Sequence, residues 1–191
     1  MKEFNTTAVC IPSKHYMVDI TDKVNEIKKM VDEGKYFTIN RARQYGKTTT
    51  LNALRKVLLS NYQVINLDFQ SIGAAGFKTE QTFVQEFSRA VLKKINTGLI
   101  IPREIDAQLT DFISRKKEKA KLGELFNTLS SWCGIEDKGL VLMIDEVDSA
   151  SNNQVFLDFL SQLRDGYISR ETGKCRHLNL LFLPELQILN I

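Results

Sequence analysis

Two short stretches carry the residue types that could do chemistry. One is Gly46-Lys47-Thr48, with which a phosphate-cradling loop would finish, inside "RARQYGKTTTLNALRKVL". The other is Asp145-Glu146, at the end of the apolar run "GLVLMIDEVDSA". A Gly-Lys-Thr triplet has meaning between a buried strand and a helix, because there the backbone N–H groups and the helix N-terminus point at an anion. Gly46 would let the backbone approach closely, Lys47 would reach the β- and γ-phosphates, and the Thr48 hydroxyl would ligate Mg2+. Asp145 is then placed to hold the same ion, directly or through water. Glu146 is placed to polarise a water for attack on the γ-phosphate. In open α/β sheets ligands bind at the carboxyl ends of the strands, where a strand ending in acids delivers them.

The first half of the loop departs from the usual pattern, which places a Gly where this chain has Arg41. Arg41 and Arg43 add positive charge where an anion would sit. The expected phosphate contacts are Arg41, Arg43, Gln44, Tyr45, Gly46, Lys47, Thr48 and Thr49. The expected metal ligands are Thr48 and Asp145, and the expected catalytic residues are Glu146 and Lys47.

These residues need strands and helices to position them, and the patterning supplies both. "YFTIN" (residues 36–40), "YQVINLDFQ" (62–70) and "GLVLMI" (139–144) read as strands. The first and third should present Gly46 and Asp145 at one edge of a parallel sheet. Thr21 reads as the cap of a helix whose Val24, Ile27, Met30 and Val31 share a face and which Gly34 ends. A helix from Lys47 to about Leu59 carries Leu51, Leu54, Val57 and Leu58. Thr79 caps another, with Phe83, Val84, Phe87, Val91 and Ile95. "EIDAQLTDFISRKKEKA", "KLGELFNTLSSWCGI" and "FLDFLSQLRDGYISR" complete the helical stretches, with Trp132 as core. Strands alternating with helices, each strand apolar on both faces, argue for a three-layer α/β/α sandwich with a parallel sheet.

Composition narrows the alternatives. The chain has 191 residues, 43% of them hydrophobic and 26% charged, in keeping with one domain. Its 26 basic and 23 acidic residues are too balanced to argue for a nucleic-acid or membrane surface. The Lys-rich run after Ser114 reads as a solvated helix face. Cys10, Cys133 and Cys175 form no CxxC, and His15 and His177 lack metal-ligand spacing, so reduced thiols in the cytoplasm are expected. The start of the chain has no signal-peptide pattern, and no apolar run approaches the roughly 20 residues that span a bilayer.

With "RARQYGKT", "LVLMIDEVD" and "FLDFLSQLRDGYISR" in view, the chain resembles the bacterial AAA-ATPase-like proteins of the P-loop ATPase superfamily. These carry a modified phosphate loop with Arg in place of the first Gly, so Arg41 counts for the match. The resemblance covers Met1 to about Gly173. It implies a P-loop NTPase sandwich, ATP and Mg2+ as cofactors, and Mg2+-dependent ATP hydrolysis as the family activity. It carries Lys47 and Thr48 onto the phosphate loop and Asp145 and Glu146 onto the acidic strand. His15 and Tyr16 lie where such proteins often contact the base, with a packed loop aromatic as the equal alternative. Family members often continue into a helical lid and a nuclease-like domain.

The tail "CRHLNLLFLPELQILNI" departs from the pattern. Codon degeneracy permits a family-type segment, "FQSVIFAGVTDIKY", one base over from His177 onward. The expectation is therefore a frameshift near residue 174. That makes residues 1–191 a single truncated ATP-binding domain with a loop at 1–20, an aberrant tail at 174–191, a sheet incomplete at the C-terminus and no lid. Residues 178–183 are expected to occupy the missing strand's place all the same. Two functional alternatives stay open beside ATP hydrolysis: a non-hydrolysing nucleotide-binding switch or interaction module, and a non-functional fragment of a longer ATPase–nuclease-like protein. ATP is the expected partner, a homo-oligomer is an option, and DNA enters only by analogy with nuclease-fused relatives. No membrane association is expected. GTP specificity is not expected, because no NKxD-like motif is present.

Overall fold

The computed structural model describes residues 3–4, 13–16, 18–39, 46–116, 119–135, 138–150, 152–168 and 178–182. It is a mostly helical α/β domain built on a parallel sheet. The strands are β1 (Phe37–Thr38), β2 (Tyr62–Asp68), β3 (Gly139–Asp145) and β4 (Leu178–Phe182), in the spatial order β1-β4-β3-β2 with every neighbouring pair parallel. The register pairs Leu67 with Ile144 and Asp68 with Asp145. β4 pairs with β1 on one side and β3 on the other, so residues 178–182 take the place expected of them.

The helices are α1 (Thr21–Asp32), α2 (Lys47–Leu58), a single turn α3 (Gly73–Gly76), α4 (Glu80–Lys93), α5 (Arg103–Ser114), α6 (Leu122–Ile135) and α7 (Gln154–Ile168). Strand alternation divides the core in two. Val64, Val141 and Met143 pack with Val24, Ile27 and Val31 of α1 and Leu51, Leu54 and Leu58 of α2. Ile65, Leu67, Leu140, Leu142 and Ile144 face the other way, into residues of α4, α5, α6 and α7. A side chain and its sequence neighbour point to opposite faces of a strand, so β3 is apolar on both sides because it is covered on both. Phe69, Phe77, Phe83, Phe87 and Phe159 are sealed in the second core, as is Trp132.

Several local expectations need correction. Thr21 is the first residue of α1, not its cap; the helix begins after Ile20, and the Thr21 N–H donates to Asp19 Oδ1 at 2.9 Å. β1 and β2 are shorter than their apolar runs. β2 ends at Asp68 because Asp68 Oδ1 accepts the Gln70 N–H at 2.9 Å and starts a 3-10 turn over Phe69–Ile72. α5 stops at Ser114, and of the Lys-rich run Arg115, Lys116 and Lys119 stand outside any helix. Gln85 reaches across from α4 and its Nε2 donates to the Phe112 and Arg115 carbonyls at 3.3 and 3.2 Å, which gives these carbonyls a donor where the helix ends. Val57 and Ile95 are largely exposed rather than core. Thr79 does cap α4, in a reciprocal capping box with Thr82.

Candidate functional site

α2 starts at Lys47 from Gly46, whose φ of 70° is left-handed. That conformation is open to glycine and strained for other residues. A Cβ built at Gly46 would meet nothing within 4 Å among the described residues, so it is backbone shape that marks the position for glycine. Gly46 has no side chain to cap the helix, and no acid stands in the first turn. The turn is pinned from behind: the Thr50 N–H and Thr50 Oγ1 both donate to the Gly46 carbonyl at 2.9 Å. The first-turn N–H groups of such a helix form a partial positive end suited to an anion.

The second half of the site comes from β3. Thr48 Oγ1 donates to Asp145 Oδ2 at 3.5 Å across 97 residues of sequence. Thr48 is exposed, whereas Asp145 is only 8% exposed. The other carboxylate oxygen, Asp145 Oδ1, accepts the Glu146 N–H at 3.0 Å. Glu146 has φ 55°, the one positive value outside glycine among the described residues. Thr49 and Glu146 are half-buried beside this pair.

Both atoms that face each other here are hard oxygen donors, which suit Mg2+ and not a thiolate-seeking metal. Two adjacent ligands of an octahedral Mg2+ at about 2.1 Å stand about 3 Å apart. The observed 3.5 Å therefore needs a shift of only a few tenths of an ångström, or one bridging water on the Asp145 side. No group of three or more His, Cys, Asp or Glu that could hold a metal occurs among the described residues. Mg2+ is ordinarily bound by one or two protein oxygens, with phosphate and water completing its shell.

Of the residues singled out in the sequence, Gly46, Thr48, Thr49, Asp145 and Glu146 lie together at the carboxyl end of β3 and the start of α2. Lys47 is the first residue of α2. Arg41, Arg43, Gln44 and Tyr45 lie outside the described residues. Tyr16 stacks on Phe4 with ring centroids 5.0 Å apart, and the bridge between Glu3 and His15 joins the same two segments. Cys133 is buried and in no disulfide. Two supporting residues went unread in the sequence. Thr50 could have been found from its place four residues after Gly46, the spacing at which a hydroxyl back-bonds to a helix carbonyl. Asp68 sits level with Asp145 on the neighbouring strand, which only the register reveals.

Residues 4–182 match the profile of the AAA-like domain family. The chain belongs to that family. The match takes in β4 as well as the Gly46 turn and the acidic end of β3, and it places the chain among nucleotide-binding domains of the AAA-like kind. No curated protein matches it. Among solved structures, it is similar to a chain of Drosophila ORC bound to GC-rich DNA and Cdc6, with 12% identity and a TM-score of 0.47. It is also similar to a chain of Drosophila ORC bound to poly(dA/dT) DNA and Cdc6, with 13% identity and a TM-score of 0.46. Each alignment covers 86% of this chain and 24% of the other, so the chain spans about a quarter of the length of those it matches. No helix among the described residues is long and apolar enough to cross a membrane.

Proposed function

We propose that this domain is a P-loop NTPase sandwich that binds ATP with Mg2+ and hydrolyses it. The observation that carries the reading is the approach of Thr48 to Asp145, two residues singled out for the same ion and 97 residues apart in the sequence. In this reading the α2 N-terminus and the Lys47 ammonium take the β- and γ-phosphates. Arg41, Arg43, Gln44, Tyr45 and Thr49 line the loop around them. Thr48 and Asp145 hold Mg2+, which when bound neutralises charge on the phosphates. Glu146 orients a water toward the γ-phosphate and accepts its proton. Phosphoryl transfer asks the protein mainly for positioning and charge stabilisation, which fits a helix N-terminus whose Thr48 faces a buried carboxylate.

The test is Glu146→Gln. The variant should bind ATP in Mg2+ as the parent does and lose about 10²–10⁴-fold in turnover, the usual worth of a positioned general base. Equal turnover in the two chains would remove Glu146 from the chemistry. Binding without turnover in the parent itself would make the domain a nucleotide-operated switch.

The family match runs through residue 182 and takes in β4, so the family pattern is not lost at residue 174 as expected, and the shift of reading frame loses the observation it rested on.

A further inference from the structure

The Asp145 carboxylate touches two partners with its two oxygens, Thr48 with Oδ2 and the Glu146 N–H with Oδ1. The second contact coincides with a break in the strand pattern. Along β3, Leu140, Leu142 and Ile144 face the core made with α4, α5, α6 and α7, while Val141 and Met143 face α1 and α2. Alternation puts Asp145 on the α1 and α2 side with Thr48, and would turn residue 146 toward the opposite, mainly apolar core. It would also put Val147 back beside Asp145. Val147 instead packs with Ala150 in the core that holds Ile144. β3 ends at Asp145 and a 3-10 turn runs over Val147–Ala150, so the chain changes its facing between Asp145 and Val147, and the left-handed Glu146 is where it does so. The inversion keeps the Glu146 carboxylate from being buried without a charge partner, which would be costly.

We propose that Asp145 is a positioning residue for Glu146: its Oδ1 holds the left-handed turn that aims the Glu146 side chain, in addition to the part Oδ2 takes with Thr48. This rests on the reading of Asp145 and Glu146 as the acidic pair of an ATPase site. It adds that Glu146 is aimed before any ligand arrives, because the Oδ1 contact does not involve the atoms that face Thr48.

The experiment compares the full chain with Asp145→Asn and Asp145→Ala. Asparagine can still accept the Glu146 N–H through its amide oxygen while donating toward Thr48, whereas alanine cannot. Amide hydrogen exchange at Glu146, followed by NMR without nucleotide, should show protection in the parent and in Asp145→Asn. In Asp145→Ala it should be about tenfold faster or more. With saturating ATP and Mg2+, kcat should be about 100-fold lower in Asp145→Ala than in Asp145→Asn, at similar KM, as misaimed catalytic groups behave. A third readout needs neither variant of Asp145. Glu146→Gly should melt at a higher temperature than Glu146→Ala, because glycine accepts a left-handed backbone that alanine resists. Exchange at Glu146 as fast in the parent as in an unfolded chain, equal protection in Asp145→Ala, or a higher melting point for Glu146→Ala would each overturn the proposal. If the parent fails to bind ATP, the ATPase reading falls. The exchange and melting results then still decide what holds Glu146.

Discussion

Thr48 Oγ1 and Asp145 Oδ2 stand 3.5 Å apart at the junction of α2 and β3. That separation is longer than a good hydroxyl–carboxylate hydrogen bond and close to the spacing of two ligands on one small cation. Replacing Thr48 by valine keeps the branched shape and removes the oxygen. Thr48→Val should therefore raise the Mg2+ concentration needed for ATP binding by about tenfold or more, as loss of a metal-site partner does. It should leave binding measured in excess chelator nearly unchanged. Calorimetric titration at several Mg2+ concentrations checks both.

Gly46 separates backbone strain from crowding. Its φ is 70° and no described residue comes within 4 Å of an added Cβ, so Gly46→Ala should cost the left-handed penalty, about 1–2 kcal/mol. Gly46→Asn should cost less, since asparagine visits that region more readily. Urea unfolding of the two variants gives the comparison, with the alanine variant expected to be the less stable.

The phenylalanine cluster under the sheet should dominate stability. Phe159 is fully buried, with the rings of Phe69, Phe83, Phe87 and Phe126 at centroid distances from 5.0 to 6.1 Å. Phe159→Ala should cost about 3–5 kcal/mol, a large part of the stability of a domain of this size. Ile168→Ala, at an exposed position near the end of the same helix, should change stability by less than about 0.5 kcal/mol. Chemical denaturation of both variants measures the contrast.

Alkaline pH should loosen the tie between α1 and β2. The Tyr62 hydroxyl donates to Asp32 Oδ1 at 2.8 Å. Burial, then the Asp32 carboxylate beside it, pushes the Tyr62 pKa from 10.0 up to about 12. A folded-state pKa above the unfolded one gives stability that is complete below pH 10 and is lost as pH rises toward 12. Unfolding measured across that window should show a steeper loss in the parent than in Tyr62→Phe. Equal slopes would mean that Tyr62 does not titrate differently on folding.

How far the sequence could be read depended on whether a feature was local. The Thr79 cap is written in neighbouring residues, and so are the two-sided apolar run of β3 and the leucine stripe of α2. Those elements stand where the pattern puts them. The end of β2 is not, because Asp68 can either continue a strand or accept from Gln70, and the turn that follows decides between them. The carbonyls at the end of α5 find their donor in Gln85, a residue on another helix. In the site, the residue types at Gly46, Thr48, Asp145 and Glu146 were legible. Their approach was legible only through the sheet order, and the left-handed Glu146 was not legible at all. Glutamate has no preference for that conformation, and its cause is the change of face between Asp145 and Val147.

The central claim is that the Gly46 turn and the start of α2 receive the phosphates of ATP. The most direct measurement is ATP affinity in Mg2+ for the parent chain and for Lys47→Ala, which deletes the one side-chain cation placed in the helix's first turn. Calorimetric titration should show saturable binding by the parent and loss of most of it in the variant, with both chains unfolding at the same temperature in the absence of nucleotide. Unchanged affinity in Lys47→Ala, or no binding by the folded parent, would contradict the phosphate-site assignment.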